Sequence, residues 1–359
     1  MLTIVDRYIM RKFLGTFFYA IALIIVIVII FDISERVDDF IENKAPLKEI
    51  LFVYYLNFIP YFVNLFSPLF TFIAVIFFTS RLAFNTEIVA ILSNGISFRR
   101  MLVPYMISAI LLALLSVYLS NFLIPNANTK RLDFESKYIK KQARFRERNI
   151  HQQIRPGVFI YLESFNDRNN IGYSFAIEKI NNGKLTYKMN AETIRWQEED
   201  ENWRLNNYTI RKIDNLNETL ISGRQLDTVL NFLPSDFVQS LTEMETMNFS
   251  ALNAFIENEK IKGSEHIKYY LVEKHRRIAF PFSTLVLTLI GVALSSRKVK
   301  GGIGLHLFAG ISLSFTFILF MQITTTFATN GNLPAWLSLW IPNFVFSILG
   351  IYLLIKAPK

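Results

Sequence analysis

The stretch FLGTFFYAIALIIVIVIIF, residues 13–31, carries no charged side chain and is about as long as a helix needs to be to cross a bilayer, roughly 20 residues. It is long for the apolar part of a signal peptide. The FDISERVDDF that follows offers no small-residue cleavage site, so the stretch reads as a retained span. Five more apolar runs follow, at 50–79, 101–124, 278–296, 303–328 and 333–355. Of the 359 residues 52% are hydrophobic, and they are gathered into these runs rather than spread as in a soluble domain.

Lys and Arg then orient the spans. Arg7, Arg11 and Lys12 precede the first run, and Arg81, Arg99 and Arg100 lie between the second and third. Arg297, Lys298 and Lys300 separate the fourth from the fifth, and Lys356 and Lys359 follow the last. All fall on one side if both termini are cytoplasmic. The opposite loops carry Arg36, Lys44 and Lys48, outweighed by Asp32, Glu35, Asp38, Asp39, Glu42 and Glu49. The predicted fold is an α-helical membrane protein with six transmembrane helices (3+3) around an inserted all-β periplasmic domain. The divisions are 1–124, 125–277 and 278–359.

The insert has a near-balanced charge and reads as β-rich. VFIYLESF (158–165) is a buried strand. In KLTYKMNAETIRWQ (184–197), Leu185, Tyr187, Met189 and Ala191 share one phase, and Ile194 and Trp196 take the other. NWRLNNYTIRKI (202–213) shows the same flip, which predicts a bulge near Glu192–Thr193. Turn signals between short strands point to a sandwich or jelly roll. Ile160, Leu162, Leu185, Tyr187, Met189 and Trp196 face inward as a core. A helical pattern runs over 249–262 and stops at Gly263.

Chemistry is sparse. With no cysteine, thiol catalysis and Cys-ligated metals are excluded. No Asp, Glu, Lys or Arg lies inside the six runs, and His306 is the single exception among the usual charge carriers, which argues against proton-coupled carriers and pumps. Nucleotide-binding and hydrolase motifs are missing, the histidines are dispersed, and the Asn207, Asn217 and Asn248 sequons are short patterns. No catalytic residue, metal site or cofactor held by this chain is expected. The net charge of +9 sits mainly on membrane flanks, so nucleic acid is not the expected partner.

The loop SRLAFNTEIVAILSNGISFRR (80–100) stands apart. Asn85 or Thr86 suits an N-cap, Glu87 falls in the first turn and Gly95 suits the stop. Ile88, Ile91 and Leu92 form one stripe. Such a helix either lies on lipid headgroups or enters a groove of a separate ATPase.

Four segments carry a resemblance: DRYIMRKFLGTFF (6–18), TEIVAILSNGISFRRML (86–102), YYLVEKHRRIAFPFSTLVLTLIGVAL (269–294) and GNLPAWLSLWIPNFVFSILG (331–350). In this order they resemble the lipopolysaccharide-export permeases of the LptF/LptG (YjgP/YjgQ) family, both subunits alike. The resemblance implies an inner-membrane permease with a periplasmic jelly roll, paired with a homologous permease subunit. It implies an LptB-like ATPase dimer that binds the ATP and Mg, LptC/LptA-like bridge proteins, and lipopolysaccharide as cargo. For the inward-facing residues of the β-rich insert it implies, as the alternative to a core, a sheath for acyl chains in transit. The coupling helix would comprise Glu87, Ile88, Ala90, Ile91, Leu92, Asn94 and Gly95. Arg36, Lys130, Arg131, Lys274, Arg276 and Arg277 are candidate contacts for lipid phosphates. Phe17, Phe18, Phe62, Phe66, Gly310, Phe317 and Phe320 are candidates for a lipid cavity or lateral gate, though aromatics at helical spacing equally suit plain packing. A permease for another envelope lipid, and a scaffold that moves nothing, stay open beside this reading.

Overall fold

The computed structural model describes residues 3–139, 148–166, 169–214, 217–230, 232–237, 243–264, 266–299 and 302–357. In chain order the helices are α1 (Ile4–Glu42), α2 (Leu47–Phe84), the short α3 (Glu87–Ser93), α4 (Phe98–Tyr138), α5 (Phe249–Lys262), α6 (Ile267–Ser295), α7 (Gly302–Asn330) and α8 (Ala335–Lys356). Between α4 and α5 lie β1 (Arg148–Arg155), β2 (Val158–Asn166), β3 (Ile171–Asn181), β4 (Lys184–Gln197), β5 (Asn202–Asp214) and β6 (Asn217–Thr228). Among the described residues, all helices but α3 and α5 are long and apolar enough to cross a membrane, six in total. The expected class, six spanning helices with an inserted β-sheet domain, is the one the chain adopts.

The helices outrun their apolar cores. At 1.5 Å per residue the 39 residues of α1 reach about 58 Å, nearly twice the hydrocarbon thickness of about 30 Å. Its charged end, with Asp32 and Arg36, is therefore helical although it lies beyond the apolar run. Likewise α4 continues through Pro125, where the insert was predicted to begin, as far as Tyr138. A π-helical turn at Leu119–Leu123 precedes this proline, which stands in the first turn of the α-helical stretch that follows. In that position its missing N–H costs little.

The chain forms two compact units. One comprises Met1–Lys140, Glu245–Phe249 and Leu271–Lys359; the other Lys141–Met244 and Ser250–Tyr270. In the first, α1 buries Ile9, Phe13, Phe17, Ile21 and Ile25, a stripe repeating every four residues. Four of the five pack with Val75, Phe78 and Leu82 of α2 and Met101, Tyr105 and Leu112 of α4. A second cluster joins Phe72 and Ile76 of α2 to Ile290 of α6, Phe317 of α7 and Phe346 of α8. Gly310 lets α7 approach there, since a Cβ would stand 2.2 Å from Cδ1 of Ile76.

In the second unit the six strands pair antiparallel in sequence order. Trp203 lies at the centre of the core, ringed by Phe165, Phe232 and Phe237, and its indole Nε1 donates to the Phe232 carbonyl at 2.9 Å. The predicted change of phase is present, but no bulge makes it. Pairing of β4 with β5 keeps one register from Tyr187↔Lys212 to Gln197↔Asn202. Burial nonetheless flips, from Met189 and Ala191 to Ile194 in β4 and from Leu162 to Phe165 in β2. The flips lie on one rung across the sheet. There Ser174 of β3 and Asn207 of β5 take the left-handed conformation, φ 51° and 49°. Their side chains clasp the neighbouring strands, Ser174 Oγ to Glu163 at 2.7 Å and Asn207 Nδ2 to Glu192 at 2.5 Å. The fold line is thus made by backbone conformation rather than by an inserted residue.

Asn tolerates this conformation, whereas a β-branched residue pays about 1–2 kcal/mol for it. Asn207→Val is therefore expected to speed hydrogen exchange of the β4 and β5 amides in the full chain, roughly tenfold for each 1.4 kcal/mol lost. Asn207→Gly is expected to leave exchange nearer to wild type.

Candidate functional site

At one end of the first unit, α3 bridges α2 and α4. Asn85 caps the C-terminus of α2, and Thr86 enters α3 in the left-handed conformation, φ 64°. Thr86 holds the N-cap position, but its hydroxyl donates to the Asn85 carbonyl and makes no cap bond. Gly95 provides the stop as expected, with φ 83° and its N–H on the Leu92 carbonyl at 3.0 Å. The apolar stripe turns toward protein. Ile88 is 1% exposed in the cluster containing Ile9, Phe13, Leu82, Phe98 and Met101, with Ile91 and Leu92 packed against it. The opposite surface presents Val89, 62% exposed, together with exposed Ala90, Ser93, Asn94 and Gly95. Glu87 accepts from Tyr8 Oη at 3.1 Å and from Asn85 Nδ2 at 3.3 Å. His306 bonds the Arg297 carbonyl through Nε2 at 2.9 Å, tying α7 to the loop before it.

The cationic candidates lie at the far ends of α1, α4 and α6, and here the structure adds carboxylates. Arg36 pairs with Asp32 at 3.0 Å and with Glu135 at 3.6 Å. Arg131 pairs with Glu135 at 3.6 Å and Glu245 at 3.7 Å. Glu273 holds Arg276 at 2.6 Å and Arg277 at 3.1 Å, and Arg277 also donates to the Met247 carbonyl at 2.6 Å. Signs alternate from α1 through α4 to the 245–249 segment, with a further acid–arginine cluster on α6. Burial pushes the Glu245 carboxyl up, and Arg131 pulls against it. Lys130 is exposed and Lys274 half-buried, and neither joins an ion pair among the described residues.

Two π-helical turns shape this region. In the turn Ile50–Tyr55, the consecutive Tyr54 and Tyr55 both donate to Asp32, at 3.2 and 3.0 Å. In the other, Ser120 accepts from Asn64 Nδ2 at 3.0 Å. Such turns offset side chains from the ordinary helical period and cluster at functional positions. Beside Ser120 lies a cavity of about 60 Å³ lined by Tyr61, Asn64, Asn128, Glu273 and Arg276 among others. The carboxylates Asp32, Glu135, Glu245 and Glu273 are neighbours of the candidate cations that only the structure brings to light. Three pairs stand at the i, i+4 spacing of helical ion pairs: Asp32–Arg36, Arg131–Glu135 and Glu273–Arg277.

The aromatic candidates separate. Phe17 and Phe317 are buried in the two clusters of the first unit. Phe62 stacks on Phe58 with ring centroids 4.1 Å apart and continues to Phe66 at 6.1 Å, a half-buried ladder along α2. Phe18 is exposed, and Phe320 packs partly against the second cluster. In the β unit Ile160, Leu162 and Met189 are buried in the core, Tyr187 and Trp196 pack against it, and Leu185 is half-buried.

A family model described as lipopolysaccharide export system permease LptF/LptG matches residues 7–356. Among curated proteins, the lipopolysaccharide export system permease protein LptG of Escherichia coli K12 is 20% identical over 309 residues, 85% of each chain. The protein of the same name from E. coli O6:H1 strain CFT073 aligns with the same identity and extent.

The cluster on α6 gives a directional expectation. Glu273 serves two arginines, one of them buried, and removing one partner of a buried pair costs about 3–5 kcal/mol. Glu273→Leu is expected to lower the thermal midpoint of the detergent-purified chain far more than Arg277→Met, which leaves Glu273 paired with Arg276.

Proposed function

This chain belongs to the LptF/LptG family of lipopolysaccharide export permeases, and from that footing we propose that it is the membrane subunit of an ATP-driven extractor of lipopolysaccharide. In this reading α3 faces the cytoplasm and seats an LptB-like ATPase, which binds ATP and Mg. A homologous permease completes the membrane part, and LptC/LptA-like bridge proteins receive the lipid from the periplasmic β domain. The end of the first unit with Lys130 and Lys274 faces the outer leaflet of the inner membrane, where lipid phosphates meet cations.

The observation that carries the ATPase seat is the orientation of α3. A loop helix lying on lipid would aim Ile88, Ile91 and Leu92 at headgroups, but these side chains are turned into the protein. What remains outward is a small surface of Val89, Ala90, Ser93 and Asn94 with Glu87 at its edge. That surface, carried by a helix packed on three long helices, suits insertion into a groove of a partner. The chain itself holds no nucleotide-binding motif, so the energy is supplied by that partner.

The test is co-purification of an ATPase subunit with the wild-type complex and with Glu87→Arg, with ATP hydrolysis assayed in detergent. Wild type is expected to retain the ATPase. The variant is expected to lose about 1.4 kcal/mol of binding or more, a fall in affinity of at least about tenfold. An ATPase missing from both preparations would move the scaffold reading to the front. An ATPase retained together with a different co-purifying lipid would favour the other-lipid permease.

A further inference from the structure

At the start of α3 and again just after its end, the chain is tied to α1 by polar bonds. Tyr8 Oη donates to Glu87, the first residue of α3, at 3.1 Å. Just beyond the Gly95 turn, in the first turn of α4, Arg100 meets Asp6 in a bidentate pair, Nη1 to Oδ1 at 2.8 Å and Nη2 to Oδ2 at 2.5 Å. Asp6 is 3% exposed. Its Oδ2 also accepts the Thr3 backbone N–H at 2.7 Å, and its own N–H donates to Thr3 Oγ1 at 3.2 Å. A buried carboxylate served by three donors is held in both position and direction.

Packing alone does not supply that. The buried stripe of α1 repeats every four residues, Ile9, Phe13, Phe17, Ile21 and Ile25. Displaced by one repeat, about 6 Å along the axis, it would present much the same apolar surface to α2 and α4. Apolar contact is non-directional, so it resists separation far better than it resists sliding. The bidentate bond breaks on such a displacement. At its other end α1 is held by bonds of the same directional kind, Tyr54 and Tyr55 of α2 on Asp32 and Glu135 of α4 on Arg36, so the Asp6–Arg100 pair is the matching hold at the end that carries α3.

We propose that the Asp6–Arg100 pair is the axial pin at the α3 end of α1: it fastens α1 to the first turn of α4, which follows α3 directly in the chain, so that a push on α3 is carried into α1. Asp6 and Arg100 act here as positioning residues, through their bond to one another, and Tyr8–Glu87 is the lesser, second tie. The inference rests on α3 being the ATPase seat and adds the route by which its motion leaves it.

The test uses the complete complex in vesicles containing lipopolysaccharide, with Asp6→Arg, Arg100→Asp and the double exchange. ATPase retention and lipopolysaccharide extracted per ATP hydrolysed are read separately. Each single variant is expected to retain the ATPase and hydrolyse ATP while extracting at least about tenfold less lipid per ATP; the double exchange is expected to return to within about threefold of wild type, as coupled neighbours do. Where a single variant fails to accumulate, Asp6→Asn with Arg100→Gln is read in its place. It leaves no buried unpaired charge and is expected to show the same low yield. Unchanged lipid per ATP in the single variants or in the neutral pair, or a double exchange no better than the single ones, would overturn the pin while leaving the ATPase seat intact. Loss of the ATPase from wild type itself would instead remove the reading beneath it.

Discussion

The burial of Ile88 in the cluster that holds Ile9 and Phe13 is the interaction on which the architecture around α3 turns. A seven-residue helix is not stable on its own in water, because the cost of nucleation is spread over too few bonds. Burying one Ile side chain contributes about 1.5–3 kcal/mol, enough to hold such a helix in place. Here that side chain is shared with helices long enough to cross a bilayer. The consequence is mechanical: burial holds α3 against the helices around it, the polar ties of Tyr8–Glu87 and Asp6–Arg100 fix α1 along its axis, and the exposed surface of α3 is a handle instead of a loop.

The second constraint is electrostatic. Lipid cannot solvate charge, so the spans are uncharged through their middles and ionic groups collect where the helices emerge. Asp32, Arg36, Glu135, Arg131 and Glu245 pair in a chain there, and Glu273 pairs with Arg276 and Arg277 on α6. An anion arriving at these arginines competes with carboxylates already in place. Lys130 and Lys274 meet no such competitor among the described residues. Binding of any anion at this end would therefore be an exchange of partners as much as a filling of open sites.

Much of this was legible in the sequence. Charge-free runs of span length, and Lys and Arg flanking them on alternate sides, revealed the six helices; Gly95 revealed the end of α3. Four separated segments carried the family resemblance. What was not legible depends on tertiary position. Phe17 and Phe18 are adjacent and chemically alike, yet one is buried and the other exposed, because the α1 stripe runs at four-residue steps through Phe17. The phase flip at Glu192–Thr193 was readable, but its cause lay on other strands, in the left-handed Ser174 and Asn207. The π-helical turns, which bring Tyr54 and Tyr55 together on Asp32, left no sequence signal. Arg36, Arg131 and Arg277 looked available until their acids, four residues away, were seen to face them.

The central claim is that the outward surface of α3 is the seat of a separate ATPase. It is tested most directly by a photo-crosslinking residue at Val89, the most exposed large apolar side chain of α3. In native membranes the expected product is a single adduct with a nucleotide-binding subunit, lost when the crosslinker is moved to the buried Ile88. Adducts with lipid alone, or none in membranes that contain the complete complex, would contradict it.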